Sequence, residues 1–100
     1  MKKDGEEKAE ILIVDDEQTV RNLLSNLLGE RYVCRAAASG DEALSLLEAH
    51  LPDLVISDIN MPGMTGLELS PKVYARSPDI VVMVISGNQT IDNAIEAIRA

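Results

Sequence analysis

The stretch Ile11-Leu12-Ile13-Val14-Asp15-Asp16 decides the fold, because a short run of aliphatic residues ends abruptly in two acidic ones. A continuous apolar run of this length is typical of a strand covered on both faces, as in a parallel sheet. A second run, Leu54-Val55-Ile56-Ser57, also ends in an acidic residue, Asp58. If both runs are parallel strands of one sheet, the three carboxylates meet in the crevice at the carboxyl ends of the strands, where open α/β sheets bind their ligands.

The remaining sequence alternates strand patterns with helix patterns. We predict four strands, at residues 10–14, 32–37, 53–57 and 80–85. Helical spacing of apolar residues is present from Val20 to Gly29, after the cap signature Ser39-Gly40-Asp41-Glu42, over residues 67–75, and from Ile91 to the chain end. The resulting order β-α-β-α-β-α-β-α specifies an α/β fold with a parallel sheet and right-handed crossovers.

Two segments depart from this regular pattern. Residues 1–9 are mostly charged, and we predict that they form a flexible N-terminal tail, which leaves residues 10–100 as the folded domain. Pro71 lies inside the third predicted helix. Because proline lacks a backbone N–H group, we expect it to kink or shorten that helix.

Composition excludes several classes of protein. The net charge of −8 argues against direct binding of nucleic acid, because phosphate binding needs a basic patch. The lone Cys34 cannot form an internal disulfide, and no apolar run reaches the about 18 residues of a membrane helix. The charged N-terminus lacks the apolar stretch of a signal peptide. We therefore expect a cytoplasmic protein that does not contact a membrane.

The three acidic residues predict a metal site with phosphoryl chemistry. Clustered carboxylates repel one another unless a cation lies among them, and Mg²⁺ prefers such hard oxygen ligands. Asp15 and Asp16 can bind a cation directly and through water, while Asp58 and a loop carbonyl near Asn60 supply further oxygens. A carboxylate beside a metal can also form an acyl phosphate. Ser86, at the end of the fourth strand, could then donate a hydrogen bond to the phosphoryl group.

Three motifs, correctly ordered on alternating strands, resemble the receiver domain of two-component response regulators. They are Ile-Leu-Ile-Val-Asp-Asp-Glu at 11–17, Asp-Ile-Asn-Met-Pro-Gly-Met-Thr-Gly at 58–66 and Val-Met-Val-Ile-Ser-Gly at 82–87. The resemblance spans about residues 10–100, nearly the whole chain. It implies a flavodoxin-like (CheY-like) parallel sheet in which the four strands present have the order 2-1-3-4.

The resemblance also implies a role for each residue of the acidic crevice. Asp58 matches the residue that accepts a phosphoryl group from a partner histidine kinase. Asp15 and Asp16 match the acidic pair that holds Mg²⁺, and Asn60 matches the residue whose backbone carbonyl completes the metal site. Ser86 matches the hydroxyl residue that hydrogen-bonds the phosphoryl group.

One part of the family pattern is missing from this sequence. The resemblance implies a fifth strand, which ends in a lysine that pairs with the phosphoryl group, and a final helix. The lysines here are Lys2, Lys3, Lys8 and Lys72, none of which is at that position. We therefore expect a truncated receiver with slow or absent phosphorylation. We also expect self-association, through the exposed apolar fourth strand or by exchange of elements between chains.

Other functions compete with a signalling receiver, which is not an enzyme in the turnover sense. One alternative is a phosphorylation-incompetent module that acts by interaction or dimerisation; metal-dependent phosphorylation distinguishes the two. A metal-dependent phosphatase of the haloacid dehalogenase type is less favoured, because Asn60 stands where such enzymes have a second acid. A flavin-binding flavodoxin is weaker still, because aromatic residues are nearly absent and no phosphate loop follows the first strand.

Overall fold

The computed structural model describes residues 8–85, so the predicted helix from Ile91, Ser86 and most of the predicted tail lie outside the described residues. The elements in chain order are β1 (Glu10–Val14), α1 (Gln18–Leu28), β2 (Val33–Ala37), α2 (Gly40–Ala49), β3 (Leu54–Asp58), α3 (Gly66–Arg76) and β4 (Val81–Ile85). Each strand agrees with its predicted bounds to within one residue, and each helix follows the strand predicted to precede it.

The four strands form one parallel sheet in the order β2-β1-β3-β4. The register aligns Val14 of β1 with Ser57 of β3, and Asp58 of β3 with Ile85 of β4. The carboxyl ends of β1, β3 and β4 therefore lie at the same edge of the sheet. The flavodoxin-like sheet and its predicted strand order are confirmed.

The core lies on both faces of the sheet, because successive residues of a strand point to opposite sides. Ile11 and Ile13 of β1 pack on the face covered by α1, and Leu12 and Val14 pack on the face covered by α2 and α3. These four side chains are between 0% and 3% exposed. This two-sided burial explains the continuous aliphatic run of β1, and it holds the end of β1 in a fixed position.

The ends of α1 and α2 follow the predicted signals with one difference. Gly29 caps α1 and donates its N–H to the carbonyl of Ser25 at 2.8 Å; its φ of −66° is not left-handed, but a Cβ atom there would lie 2.6 Å from that carbonyl oxygen. Ser39 caps α2 by accepting the N–H of Glu42 at 3.1 Å. The carboxylate of Glu42 accepts the N–H of Ala38 at 2.7 Å rather than that of Ser39, so the predicted reciprocal box is only half formed.

Helix α3 is not shortened by its proline. It extends five residues beyond Pro71, to Arg76. Leu69 and Val73, on either side of the proline, are both 0% exposed. Burial of each such side chain contributes roughly 1.5–3 kcal/mol, which together offsets the approximately 3 kcal/mol cost of an interior proline. The expected shortening was wrong because core packing outweighed the lost backbone hydrogen bond, and the alternative, a kink at Pro71, stays a prediction.

None of the helices within residues 8–85 is long and apolar enough to cross a membrane.

Candidate functional site

The three acidic residues singled out in the sequence lie together at the carboxyl edge of the sheet. Asp15 directly follows β1, Asp16 is next to it, and Asp58 is the last residue of β3. Each of the three offers a carboxylate oxygen, and these oxygens all lie within 4.8 Å of one another. Asp15 is only 5% exposed, Asp58 is partly buried and Asp16 is exposed. One pocket therefore combines a buried acid with two acids that solvent reaches.

Asp15 is held by hydrogen bonds on three sides. Its N–H donates to the carbonyl of Ala37 in β2 at 3.1 Å. Its Oδ1 accepts the backbone N–H of Glu17 at 2.9 Å, which closes a tight turn before α1. Its own carbonyl accepts Nη1 of Arg21 at 2.7 Å. The carboxylate of Asp15 thus has a defined position before any ligand binds.

The pKa of the Asp15 carboxyl is raised above its ordinary value. Burial is the main cause, and the negative charges of Asp58, Asp16 and Glu17 raise the pKa further. The hydrogen bond from the N–H of Glu17 acts in the opposite direction, because it stabilises the carboxylate. Because the pKa of Asp15 is raised overall, this hydrogen bond does not fully compensate for burial and for the neighbouring negative charges.

Asp58 lies where the start of α3 approaches the end of β3. The N–H of Gly66 donates to the carbonyl of Ile59 at 2.9 Å. A Cβ atom on Gly66 would lie 2.3 Å from the carbonyl oxygen of Asp58 and 3.1 Å from Oγ of the buried Ser57. No other residue fits here without a shift of the backbone. Glycine at this position therefore allows α3 to begin directly against the peptide that carries Asp58.

The loop between β3 and α3 is fixed by local packing. Gly63 has a φ of +80°, a left-handed conformation that glycine adopts without strain. Met61 is 6% exposed and belongs to the core, while Met64 packs so closely on Gly40 that a Cβ there would be 2.7 Å from its Sδ. The two methionines therefore pack this loop against the core on the α2 and α3 side of the sheet.

Of the two remaining predicted site residues, Asn60 and Ser86, the structure describes Asn60. Asn60 is exposed just after β3 and donates its backbone N–H to Oδ1 of Asp58 at 3.3 Å; its role as a carbonyl ligand stays a prediction. Ser86 lies outside the described residues. Its chain neighbour Ile85 is aligned with Asp58, and the carbonyl of Ile85 accepts the N–H of Ile59 at 2.7 Å.

The donor set fits a hard divalent cation. All three side chains offer carboxylate oxygens, the ligands that Mg²⁺ and Ca²⁺ prefer, whereas softer metals select nitrogen and sulfur. Mg²⁺ binds through one or two carboxylates and keeps several waters, which suits one buried and two accessible acids. A cation here would also stabilise the carboxylate of Asp15, whose pKa is raised by burial and, further, by the neighbouring negative charges. The residues present are therefore suited to Mg²⁺.

Sequence reasoning missed two features next to this site. Arg21, which bonds the carbonyl of Asp15, carries no motif, and an arginine at this spacing in a helix usually projects into solvent. Thr65 and Glu68 form a complete capping box at the start of α3, with bonds of 3.2 Å and 2.9 Å. Its signature, Thr followed three residues later by Glu, was readable in the sequence.

Comparison with known proteins places the chain in a family. The family model described as the response regulator receiver domain matches residues 11–100. The protein-glutamate methylesterase/protein-glutamine glutaminase 2 of Paramagnetospirillum magneticum is 39% identical over 100 residues, which cover 93% of this chain and 28% of that protein. The Regulator of RpoS of Escherichia coli is 42% identical over 93 residues, covering 90% of this chain and 27% of that protein. The chain thus spans little more than a quarter of either relative.

Solved structures show the same architecture. The chemotaxis protein CheY4 of Vibrio cholerae superposes with a TM-score of 0.75 at 29% identity, covering 89% of this chain and 81% of that one. The receiver domain of NtrX from Brucella abortus gives a TM-score of 0.73 at 37% identity, covering 89% of this chain and 77% of that one. Because the family match covers nearly the whole sequence and the sheet agrees with these structures, the chain belongs to the response regulator receiver domain family.

Proposed function

We propose that this receiver accepts a phosphoryl group on Asp58 from the phosphohistidine of a histidine kinase in two-component signalling. The observation that carries the proposal is the meeting of the Asp15, Asp16 and Asp58 carboxylates within 4.8 Å at the carboxyl edge of the sheet. Membership of the receiver family supports the same chemistry.

Asp58 is the nucleophile in this proposal. One of its carboxylate oxygens forms a P–O bond as the bond between phosphorus and the donor's imidazole nitrogen breaks, and the electron pair of that bond stays on the imidazole. The product is an acyl phosphate. The N–H of Asn60 orients Oδ1 of Asp58 at 3.3 Å, and the partial exposure of this side chain leaves it accessible to a donor.

Asp15, Asp16 and the backbone carbonyl of Asn60 would hold Mg²⁺ beside Asp58. The bound ion would neutralise the carboxylates and the phosphoryl oxygens that approach them. The Ser86 hydroxyl would donate a hydrogen bond to the phosphoryl group. The alignment of its neighbour Ile85 with Asp58 supports this last assignment.

The proposed chemistry is transfer to the protein itself rather than turnover of a substrate. An enzyme of the haloacid dehalogenase type needs an acid two residues after its nucleophile, and here that residue is Asn60. The methylesterase activity named for one relative belongs to a protein of which this chain spans 28%. We propose a cytoplasmic domain that does not itself bind nucleic acid, which its net charge of −8 supports.

We also propose that copies of the chain associate through β4. Among the described residues, β4 has a neighbouring strand on one side only, and Val81 is 56% exposed. An apolar groove of about 260 Å³, lined in part by Ile11, Leu54 and Met83, lies beside it. This observation supports association, which is also what the second candidate function requires, an interaction module that acts without phosphorylation.

Intact mass after incubation with a small-molecule acyl phosphate, with and without Mg²⁺, tests the proposed function. Asp58→Asn removes the nucleophile, and Asp79→Asn, at an exposed turn, is the matched control. We expect a metal-dependent gain of one phosphoryl group in the wild type and in Asp79→Asn, and none in Asp58→Asn. A label that persists in Asp58→Asn contradicts the assignment. No label in the wild type, under conditions that label another receiver, favours the interaction module.

A further inference from the structure

We propose that Arg21 is a positioning residue of the metal site. Its guanidinium fixes the peptide that joins Asp15 to Asp16, and thereby the directions in which the two carboxylates point. The inference rests on the proposed function, because it assigns Arg21 to the cation site of that function.

The contact itself is short and specific. Nη1 of Arg21 donates to the carbonyl oxygen of Asp15 at 2.7 Å, in a partly buried environment. Hydrogen bonds from a charged donor are shorter and stronger than neutral ones. The accepting carbonyl belongs to the peptide between the two acidic residues. The orientation of this peptide therefore constrains the directions in which the side chains of Asp15 and Asp16 project from the backbone.

No other hydrogen bond within residues 8–85 reaches this carbonyl. The N–H of Asp15 donates to the carbonyl of Ala37, and its Oδ1 accepts the N–H of Glu17. The backbone amide and the side chain of Asp15 are therefore held by other residues, whereas its carbonyl is held by Arg21. The sheet pairing of β1 ends at Val14, one residue earlier. Without Arg21, the carbonyl of Asp15 loses its hydrogen bond, and the peptide that follows is restrained only by the turn between Oδ1 of Asp15 and the N–H of Glu17.

Helix α1 gives Arg21 a rigid base. The N–H of Arg21 donates to the carbonyl of Glu17 at 3.1 Å, and its neighbours Val20 and Leu24 are buried in the core. The N-terminal end of a helix favours anions over cations, so the energetics of α1 alone do not account for an arginine near this end. The bond to Asp15 supplies a reason for its side chain to turn back toward the sheet.

Charge and positioning predict effects of opposite sign. As a nearby positive charge, Arg21 repels a bound cation, so its removal by itself would strengthen Mg²⁺ binding. As an anchor of the Asp15 peptide, Arg21 preorganises the ligands, so its removal weakens Mg²⁺ binding. Loss of hydrogen bonds that orient metal ligands typically lowers metal affinity by about 10- to 100-fold.

The test is a calorimetric titration of the metal-free chain with Mg²⁺. Arg21→Ala and Arg21→Gln remove the bond to Asp15, and the glutamine keeps part of the aliphatic stem. Arg31→Ala and Arg31→Gln are matched controls, because Arg31 is exposed and its side chain has no hydrogen bond or ion pair among the described residues. We expect Mg²⁺ affinity to fall about tenfold in the Arg21 variants and to stay within about twofold in the Arg31 variants.

A second readout separates positioning from general stability. We expect the amide of Glu17, which bonds Oδ1 of Asp15, to exchange hydrogen faster in metal-free Arg21→Gln than in Arg31→Gln, while the amide of Ile13 in the middle of β1 is unchanged. A merely structural role would speed exchange across β1 as a whole and leave the affinity of the folded protein for Mg²⁺ unchanged.

The outcomes distinguish failure of this inference from failure of the proposed function. If Arg21→Gln binds Mg²⁺ as tightly as Arg31→Gln, or more tightly, Arg21 does not position the site, although the site stands if Asp15→Asn loses binding. If the wild type does not bind Mg²⁺, both the metal site and the role of Arg21 are wrong. Should Arg21→Ala fail to fold, Arg21→Gln decides by the same criterion.

Discussion

At the scale of single residues, Asp15 shows how the fold holds a charge in an unfavourable place. Its carboxyl is buried at the end of β1 beside Asp16 and Asp58, and its pKa is raised for that reason. Within the described residues its carboxylate receives one hydrogen bond, from the N–H of Glu17. Protonation of Asp15 is therefore expected to stabilise the folded metal-free protein relative to the unfolded chain.

Asp15→Asn is expected to stabilise the metal-free chain at neutral pH. Because the folded-state pKa is raised, the folded protein binds the proton more tightly than the unfolded chain does, so the free energy of unfolding falls as pH rises from the unfolded pKa through the folded one. The asparagine removes this loss, and its side-chain oxygen can still accept the N–H of Glu17. Urea unfolding between roughly pH 4 and pH 8, in the presence of a chelator, measures the difference.

The control for this comparison is Asp79→Asn, at an exposed turn residue, which should keep the pH dependence of the wild type. Added Mg²⁺ should stabilise the wild type more than Asp15→Asn, because a ligand that binds only the folded state raises its stability. Identical pH dependence in the wild type and Asp15→Asn would show that Asp15 is not the source of the effect.

At the scale of elements, the start of α3 determines how closely this helix approaches the end of β3, where Asp58 lies. Thr65 and Glu68 satisfy each other's backbone N–H groups there, and Gly66 lets the helix begin against the carbonyl of Asp58. The helix then continues through Pro71 because Leu69 and Val73 are buried. The position of α3 thus results from a cap at one end and core packing along its length.

Thr65→Ala is expected to lower the free energy of unfolding by about 1 kcal/mol, because it removes the side-chain acceptor for the N–H of Glu68. Ser77→Ala is the matched control at the other end of α3, since the side chain of Ser77 has no hydrogen bond among the described residues. Urea unfolding of both variants checks the prediction. An equal loss in the two would mean that the capping box does not stabilise this helix.

At the scale of the whole molecule, the two edges of the described sheet differ. The edge strand β2 carries the charged Arg35, which pairs with Glu10 at 3.1 Å. Charged side chains protect an edge strand from pairing with another chain. The other edge strand, β4, has the sequence Val-Val-Met-Val-Ile without any charge, and it lies beside the apolar groove. Association is therefore expected at β4 rather than at β2.

Val81→Lys is expected to shift the chain toward the monomer in sedimentation velocity over a range of protein concentrations. The lysine places a charge on the exposed edge of β4, where Val81 is 56% exposed. Val33→Lys makes the same change on β2, where Val33 is 42% exposed, and should have little effect. A wild type that stays monomeric at every concentration, or an equal effect of both variants, would contradict association through β4.

Much of this architecture could be predicted from the sequence alone. Aliphatic runs, helical spacing and the acids at two strand ends predicted four strands to within one residue and the meeting of Asp15, Asp16 and Asp58. The order of the strands in the sheet was implied by the resemblance to receiver domains. These predictions succeeded because local periodicity determines which face of each element is buried, and short parallel crossovers leave few arrangements.

Only the tertiary structure decided what surrounds the acids. The raised pKa of Asp15 depends on burial and on Asp58, which is distant in sequence. The clearance at Gly66 depends on how α3 returns to β3, and the bond from Arg21 depends on the angle at which α1 leaves β1. The sequence by itself determined the elements and the acidic residues, since those follow from local pattern. The fold determined their environment, because distances between separate elements are set only when the whole core packs.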